Sequence, residues 1–383
     1  MRLRHEWTRA GVLLMASAIL ASCTGDVPGA EEAGEWSYYG GSKSFQRYSS
    51  LDQITRDNVA SVQILWRRPA MDAELTAAFP DLQPEGYQRS TPVLIDGVLY
   101  SPNALGLVEA FDAATGETVW FQEPFSPEEA GGQSSRGLDS WSDGSDRRIF
   151  VVRGEYLYAL SAATGEAYPG FGEQGRVSLT PESAQRYHYS SGPIVVGDVV
   201  VVAGNNDGAG DGGVIKEATR EDVRGFDVRS GRLVWTFHVV PQEGEFGTET
   251  WGEESWRYSG DLGSWCCLSA DEELGYVYVP LSAPTSARYG GHRPGDNLFS
   301  NSLVALDAAT GERVWHFQMV HHDLWEYDNQ GPPILGDITV DGRRIKAVMQ
   351  ASKTAFLYAF DRETGEPVWP IEERPVPQGD VPG

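Results

Sequence analysis

From about residue 90 onward, apolar and polar positions alternate in short runs. "VLYSPNALGLVEAFD", "RIFVVRGEYLYALS" and "AVMQASKTAFLYAFD" are rich in β-branched and aromatic residues and are bounded by Gly, Asp or Asn. Such runs predict β-strands joined by tight turns. Helical periodicity is nearly absent, and "TRDNVASVQILW" (residues 55–66) is the best prediction of a short helix.

The strands lead into one phrase written five times: "FDAATGETVW", "LSAATGEAYP", "FDVRSGRLVW", "LDAATGERVW" and "FDRETGEPVW". Asp caps the turn with its carboxylate, Gly takes the positive φ, and the strand resumes with an aromatic residue that packs on a neighbouring unit. Fixed-period repetition of small β units predicts an all-β protein of the β-propeller type, in which four-stranded blades are arranged radially. A β-sandwich with similar turns is the alternative, but it does not require the same phrase five times. The repeats fall unevenly, at Asp112, Ser161, Asp227, Asp307 and Asp361. A bare blade needs only about 40–50 residues, so the surplus before Asp227 and Asp307 is read as loops on one face, where binding sites gather.

With 383 residues, 40% of them hydrophobic, the chain can bury a large core as one large all-β domain or two ordinary ones. Thirty basic against 55 acidic residues give a net charge of -25. That charge repels phosphate backbones and excludes nucleic acid as a partner, while a cation or an uncharged substrate is compatible. Arg2, Arg4 and Arg9 precede "GVLLMASAILA", which is too short to span a bilayer and reads as a secretory signal. It ends in "LASC", which resembles the lipobox of bacterial lipoproteins and implies acylation of Cys23 as a membrane anchor; an ordinary signal peptide is the alternative. The expected organisation is a signal at 1–23, a linker at 24–35 and a partial propeller domain at 36–383. The other two cysteines, Cys266 and Cys267, are adjacent and lack zinc-type spacing. They are either a vicinal disulfide or two buried thiols.

The phrase Ala-x-Asp-x-x-Thr-Gly-x-x-x-Trp resembles the tryptophan-docking motif of the eight-bladed quinoprotein alcohol and glucose dehydrogenases, which carry pyrroloquinoline quinone (PQQ). "WSYYGGSKSFQRYSSLDQITRDNVASVQILWR", "YGGHRPGDNLFSNSLVALDAATGERVWHFQMVHHDLW" and "VWPIEERPVPQ" are similar to the membrane-associated glucose dehydrogenase branch. The resemblance implies a periplasmic enzyme that oxidises an alcohol or sugar CH-OH group with PQQ and Ca²⁺ and passes electrons to a membrane quinone. It also implies a longer propeller than the about five blades legible here. Further Asp-x-x-Thr/Ser-Gly-x-x-x-Trp units are expected past Gly383, or else a truncated product that closes with another chain. A non-catalytic propeller lipoprotein scaffold in outer-membrane protein assembly is the alternative function, and the long inserted loops argue against it.

The insertion "VHHDLWEYDNQ" packs carboxylates and imidazoles around aromatics, and such a loop is either a solvated acidic surface or a source of a general base and hard-cation ligands. By resemblance, its "EYD" element places the base that takes the substrate's hydroxyl proton at Glu326, and a second acid at Asp328. Glu in place of the family's Asp adds one methylene, about 1.5 Å of reach. Lys353, predicted to lie on a strand, matches a basic residue that touches the quinone oxygens. Trp265 matches the platform beneath the quinone; otherwise it is one more docking tryptophan. Arg136 matches an arginine near the cofactor carboxylates, with a surface salt bridge as the competing reading. Ser190 and Ser191 match hydroxyls that bind the cofactor. Asn205 and Asp207 lie in an oxygen-rich loop suited to Ca²⁺, which with Glu326 and Asp328 completes the expected metal ligands. Where alcohol dehydrogenases place an Asn ligand, this chain has Ala283. The methanol-type vicinal disulfide corresponds to Ser134 and Ser135, not to Cys266 and Cys267.

Overall fold

Each of the five repeated phrases closes the outer edge of one antiparallel sheet. The structure is a computed structural model describing residues 35–81, 88–125, 134–180, 191–204 and 215–377, without the side chains of residues 134 and 135. The predicted signal with Cys23, the linker up to residue 34, and Ser190, Asn205 and Asp207 lie outside the described residues.

Blade 1 comprises β1 (Val93–Ile95), β2 (Val98–Pro102), β3 (Val108–Asp112) and β4 (Thr118–Phe121). Blade 2 comprises β5 (Ser134–Ser142), β6 (Arg147–Arg153), β7 (Tyr156–Ser161) and β8 (Arg176–Ser178). Blade 3 comprises β9 (Ile194–Val196), β10 (Val199–Val202), β11 (Val223–Asp227) and β12 (Leu233–Phe237). Blade 4 comprises β13 (Ser269–Asp271), β14 (Tyr276–Pro280), β15 (Ser302–Asp307) and β16 (Arg313–Gln318). Blade 5 has β17 (Ile334–Val340), β18 (Arg343–Ala351) and β19 (Leu357–Asp361). Its fourth strand is begun by the Phe360–Pro367 bridge and by Val368 N donating to Ala359 O at 2.9 Å. The first strands β1, β5, β9, β13 and β17 are neighbours in turn, so the sheets fan around a common axis as an incomplete β-propeller.

The turn chemistry matches the sequence. Asp112 Oδ1 accepts from the amides of Ala114 (2.9 Å) and Thr115 (2.7 Å), and Asp307 Oδ1 accepts from Ala309 (3.0 Å) and Thr310 (2.9 Å). The turn glycines, Gly116 and Gly311, both have φ of +74°. The tryptophans of the first, third and fourth phrases then dock on the turn of the following blade. Trp120 Nε1 donates to Ala162 O (2.9 Å), Trp235 to Ala308 O (2.9 Å) and Trp315 to Arg362 O (3.1 Å), and Trp66, ahead of blade 1, donates to Ala113 O (3.1 Å). The rings lie flush on the glycines: a Cβ on Gly165 would meet Trp120 at 2.4 Å, and one on Gly311 would meet Trp235 at 2.5 Å.

The second phrase lacks the tryptophan. There Arg148 Nη1 donates to Val228 O at 3.1 Å, the carbonyl that an indole takes elsewhere, while Phe171 and Val177 cover Gly231. Apolar clusters fill the spaces between successive blades, for example Val93, Ile95, Trp120, Leu138 and Ile149 between blades 1 and 2.

Two expectations need correction. Residues 55–66 form only a single 3-10 turn at Val59–Ser61, and the one α-helix among the described residues is α1 (Ala73–Ala78), capped by Asp72. The β-branched and polar make-up of 55–66 gives no continuous apolar face for a helix to bury. Lys353 is not on a strand, because β18 stops at Ala351 and β19 resumes at Leu357, leaving Lys353 in the connecting turn.

Residues 36–46 tie the inner strands together. Trp36 bridges Leu94 of β1, the Lys43 carbonyl accepts from Ala270 of β13 (2.9 Å), and the Ser44 carbonyl accepts from Leu335 of β17 (2.9 Å). Lys43 reaches Glu272 at 2.8 Å and Asp139 at 3.9 Å. Asp139 is fully buried on β5 and accepts from Val195 N of β9 at 2.7 Å.

Two predictions follow from this packing. Trp235→Ala removes a buried indole and should cost about 3–5 kcal/mol in urea unfolding, whereas Trp369→Ala, at a site 54% exposed, should cost under about 0.5 kcal/mol. Equal costs would show that docking does not hold the blades. The second concerns Asp139, whose carboxyl burial pushes from 3.8 up to about 6 despite Lys43. A raised folded-state value means that its stabilisation is complete below pH 3.8 and is lost as pH rises through 6. The stability difference between Asp139→Asn and the native chain should therefore shift by about 2 kcal/mol in the variant's favour from pH 4 to pH 7. An unchanged difference would refute the assignment.

Candidate active site

In a four-stranded meander the connections alternate between the two ends of the blade. The Asp-x-x-Thr-Gly turns join third and fourth strands at one end, so the second-to-third turns and the links between blades lie at the other. Among the connections described throughout, the longest, residues 238–268, 281–301 and 319–333, fall at that second end. Trp265, Glu326, Asp328 and Lys353 are there, and Arg136 is near the start of β5 on the same side.

Trp265 is held from three directions. Its amide donates to Gln330 Oε1 (3.0 Å), its carbonyl accepts from Arg136 Nη1 (2.5 Å), and its indole Nε1 donates to Asp328 Oδ2 (3.3 Å). The Arg136 guanidinium carbon is 5.1 Å from the indole centroid. Lys353 Nζ, from the β18–β19 turn, donates to Asp328 Oδ2 (2.9 Å) and to the Glu326 carbonyl (2.9 Å). Asp328 Oδ1 accepts from Ala283 N at 2.9 Å. The Glu326 carboxylate turns outward and accepts from Arg288 Nη2 at 3.3 Å. Ser191 is buried and donates to Ala203 O at 3.0 Å. The structure thus gathers Arg136, Trp265, Asp328 and Lys353 into one grouping, with Glu326 at its rim.

Two buried residues order this rim. Asp323 accepts from Trp325 N (2.8 Å), Tyr327 N (2.7 Å) and Asn301 Nδ2 (3.0 Å), which folds the "HHDLWEYD" loop around one carboxylate. Arg293 is fully buried and donates to Thr285 O (3.1 Å), Ser286 O (3.1 Å), Asn297 Oδ1 (2.8 Å) and Asp323 O (2.5 Å), so a single guanidinium pins both inserted loops. Burial lowers its pKa to about 10, which leaves it charged at neutral pH. The sequence marked the insertion that carries Arg293 but contained no signal for the residue.

Two further carboxylates escaped the sequence reading. Glu221 is buried and accepts from Gly263 N at 2.8 Å, and its pKa is pushed well up by burial and then by the charge of Asp261. Burial, with the charge of Asp328 adding to it, pushes Asp261 up to about 6 against a hydrogen bond from the Thr285 hydroxyl. Gly263 allows this approach, since a Cβ there would lie 1.9 Å from Glu221 Oε2.

The grouping fits a planar anionic cofactor in character: an aromatic face, two cations, and the buried Ser264 hydroxyl and Asn329 amide, which have no hydrogen-bond partner among the described residues. For a metal, the carboxylates of Glu221, Asp261 and Asp328 are the donors a hard cation takes. Among the described residues, however, no three His, Cys, Asp or Glu side chains converge in ligating geometry, and no catalytic step is routed through a metal here.

This is an incomplete β-propeller whose loop face brings together an indole, two cations and a carboxylate. Residues 36–383 match the family "PQQ: Glucose/ethanol/alcohol dehydrogenase, beta-propeller domain", and the chain belongs to it. A quinoprotein glucose dehydrogenase of Gluconobacter oxydans is 30% identical over 92% of this chain and 45% of its own length. Among solved structures, the quinohemoprotein alcohol dehydrogenase ADHIIG of Pseudomonas putida matches with a TM-score of 0.73 at 29% identity, over 88% of this chain and 48% of that one. The quinohemoprotein alcohol dehydrogenase of Comamonas testosteroni matches with a TM-score of 0.71 at 26% identity, over 89% of this chain and 49% of that one. The chain spans about half the length of the curated relatives it matches.

Arg293→Ala should cost about 3–5 kcal/mol, because Thr285 O, Asn297 Oδ1 and Asp323 O lose the buried donor they share, while Ser286 O keeps the Tyr289 amide. Hydrogen exchange should speed up at residues 283–300 and 320–328 while the docking turns stay protected. Unaltered exchange in both loops would show that the guanidinium does not hold them.

Proposed function

We propose that this chain forms the cofactor face of a PQQ-dependent dehydrogenase that oxidises an alcohol or sugar CH-OH group. The observation that carries the reading is Trp265 held by Arg136, Gln330 and Asp328, with Lys353 on the same Asp328 carboxylate. When bound, the quinone supplies a two-electron acceptor for hydride from the substrate carbon. Trp265 presents a face for stacking. Arg136 binds cofactor carboxylate oxygens through its planar fork of donors. The Lys353 ammonium, oriented by Asp328, would stabilise the negative charge that reduction develops. Glu326 takes the hydroxyl proton on its carboxylate; Arg288 holds that carboxylate at the rim, so the side chain must swing inward to reach substrate. Ser190 and Ser191 are proposed as further cofactor contacts. A Ca²⁺ ion is proposed at the loop face, with Asp328, Glu326, Asn205 and Asp207 as expected ligands and Glu221 and Asp261 as additional oxygen donors.

A periplasmic location, a lipid anchor on Cys23 and a membrane quinone as electron acceptor belong to the same proposal. The Arg-led apolar run ending in "LASC" supports the location and the anchor.

The test is reconstitution with PQQ and Ca²⁺, followed by dye-linked assays on alcohols and sugars. Quinone absorbance should survive dialysis, Glu326→Gln should lower kcat by about 10²–10⁴, and Glu326→Asp should keep most of it. Loss of the absorbance on dialysis, or full activity in Glu326→Gln, would overturn the reading.

A further inference from the structure

The two residues after Trp265 have no part in the chemistry above. Cys266 and Cys267 are joined to each other by a disulfide. Cys267 is 3% exposed and Cys266 packs against the apolar cluster shared by blades 3 and 4. Both cysteines line a crevice with Arg136, Gly137, Gly192 and Tyr39 that has no space for a water molecule. The crevice is where blades 2, 3 and 4 and the N-terminal segment meet. Its wall is tight: a Cβ on Gly192 would lie 3.0 Å from Gly137 O, and one on Gly137 would lie 3.1 Å from the Tyr39 Cβ.

In this setting the bond controls its neighbours. Bonded sulfur atoms sit at about 2 Å, whereas two thiols repel until they are at ordinary van der Waals distance, well over about 3 Å. Cys267 is buried in the apolar cluster and Cys266 packs against it, so opening the bond displaces packed neighbours or the peptide of residues 266–267. Trp265 is the next residue back, and its carbonyl is the acceptor for Arg136. Any shift of the dipeptide is passed to the aromatic face and to the guanidinium together.

We propose that the Cys266–Cys267 disulfide is a redox-sensitive positioning element that keeps Trp265 and Arg136 in the arrangement a planar anionic cofactor requires. It rests on the PQQ reading of the same site. A dithiol reductant opens it with a closed balance: the S–S bond breaks, the two sulfurs take two electrons and two protons as thiols, and the reductant closes its own disulfide. Oxidation restores the platform.

The experiment compares the chain oxidised, reduced with dithiothreitol, and as the Cys266→Ala/Cys267→Ala double variant. Peptide mass after alkylation confirms the thiol state of the segment that follows Arg257. The first readout uses no cofactor: hydrogen exchange across residues 260–268 and around Arg136 should speed up about fivefold or more on reduction and return on reoxidation. The second is PQQ affinity by quinone absorbance, which should weaken about tenfold on reduction. The double variant should bind like the reduced chain and ignore dithiothreitol, which separates bond breakage from general effects of the reductant. Exchange unchanged by reduction overturns the proposal, and so does equal PQQ affinity in the oxidised and reduced chains. If no form binds PQQ yet reduction still loosens 260–268 reversibly, the cofactor reading fails while the positioning role stands.

Discussion

An indole lying on a glycine turn is the contact from which this architecture is built. In blades 1, 3 and 4 the outer strand carries a tryptophan whose N–H meets a carbonyl of the following blade and whose ring occupies the space a Cβ would need. The turn glycine is required twice over, for its positive φ and for its missing side chain. With this contact repeated, the angle between successive sheets is set and their first strands are brought together at the axis. A twisted sheet that packs in this way protects most of its edges without closing on itself.

The second blade shows which part of the contact is essential. Its phrase ends in Tyr-Pro, yet Arg148 still supplies a donor to Val228 O, and Phe171 with Val177 still covers Gly231. Both the carbonyl and the bare glycine are served, by different residues from the same blade. The apolar cover and the satisfied carbonyl, not the indole itself, are what the interface needs.

Because docking occupies one end of every blade, the inserted chain is confined to the other, and that is where polar chemistry collects. The loop face depends on buried charge: Arg293 links two insertions, Asp323 folds one of them, and Asp139 with Lys43 pins the N-terminal segment across the inner strands. Each charge is costly to bury and is retained with several partners, which makes the loops cooperative with the blades beneath them. The platform at Trp265 inherits this rigidity through Asp328, Gln330 and Arg136.

The sequence by itself determined the strands, the turns, the number of repeated phrases and the all-β class, since alternation and the Asp/Gly grammar act within a few residues. It also marked Trp265, Asp328 and Lys353, because family motifs are local strings. It misjudged residues 55–66 as a helix and Lys353 as a strand residue, where short-range pattern was ambiguous. The tertiary structure alone decided that Arg148 stands in for a tryptophan, that Arg293 fastens the loops, that Glu221 and Asp261 share buried space near Asp328, and that Cys266 and Cys267 are bonded beside the platform. These facts depend on residues far apart in the chain meeting at a blade end, and burial, charge and close approach arise only after the blades have docked.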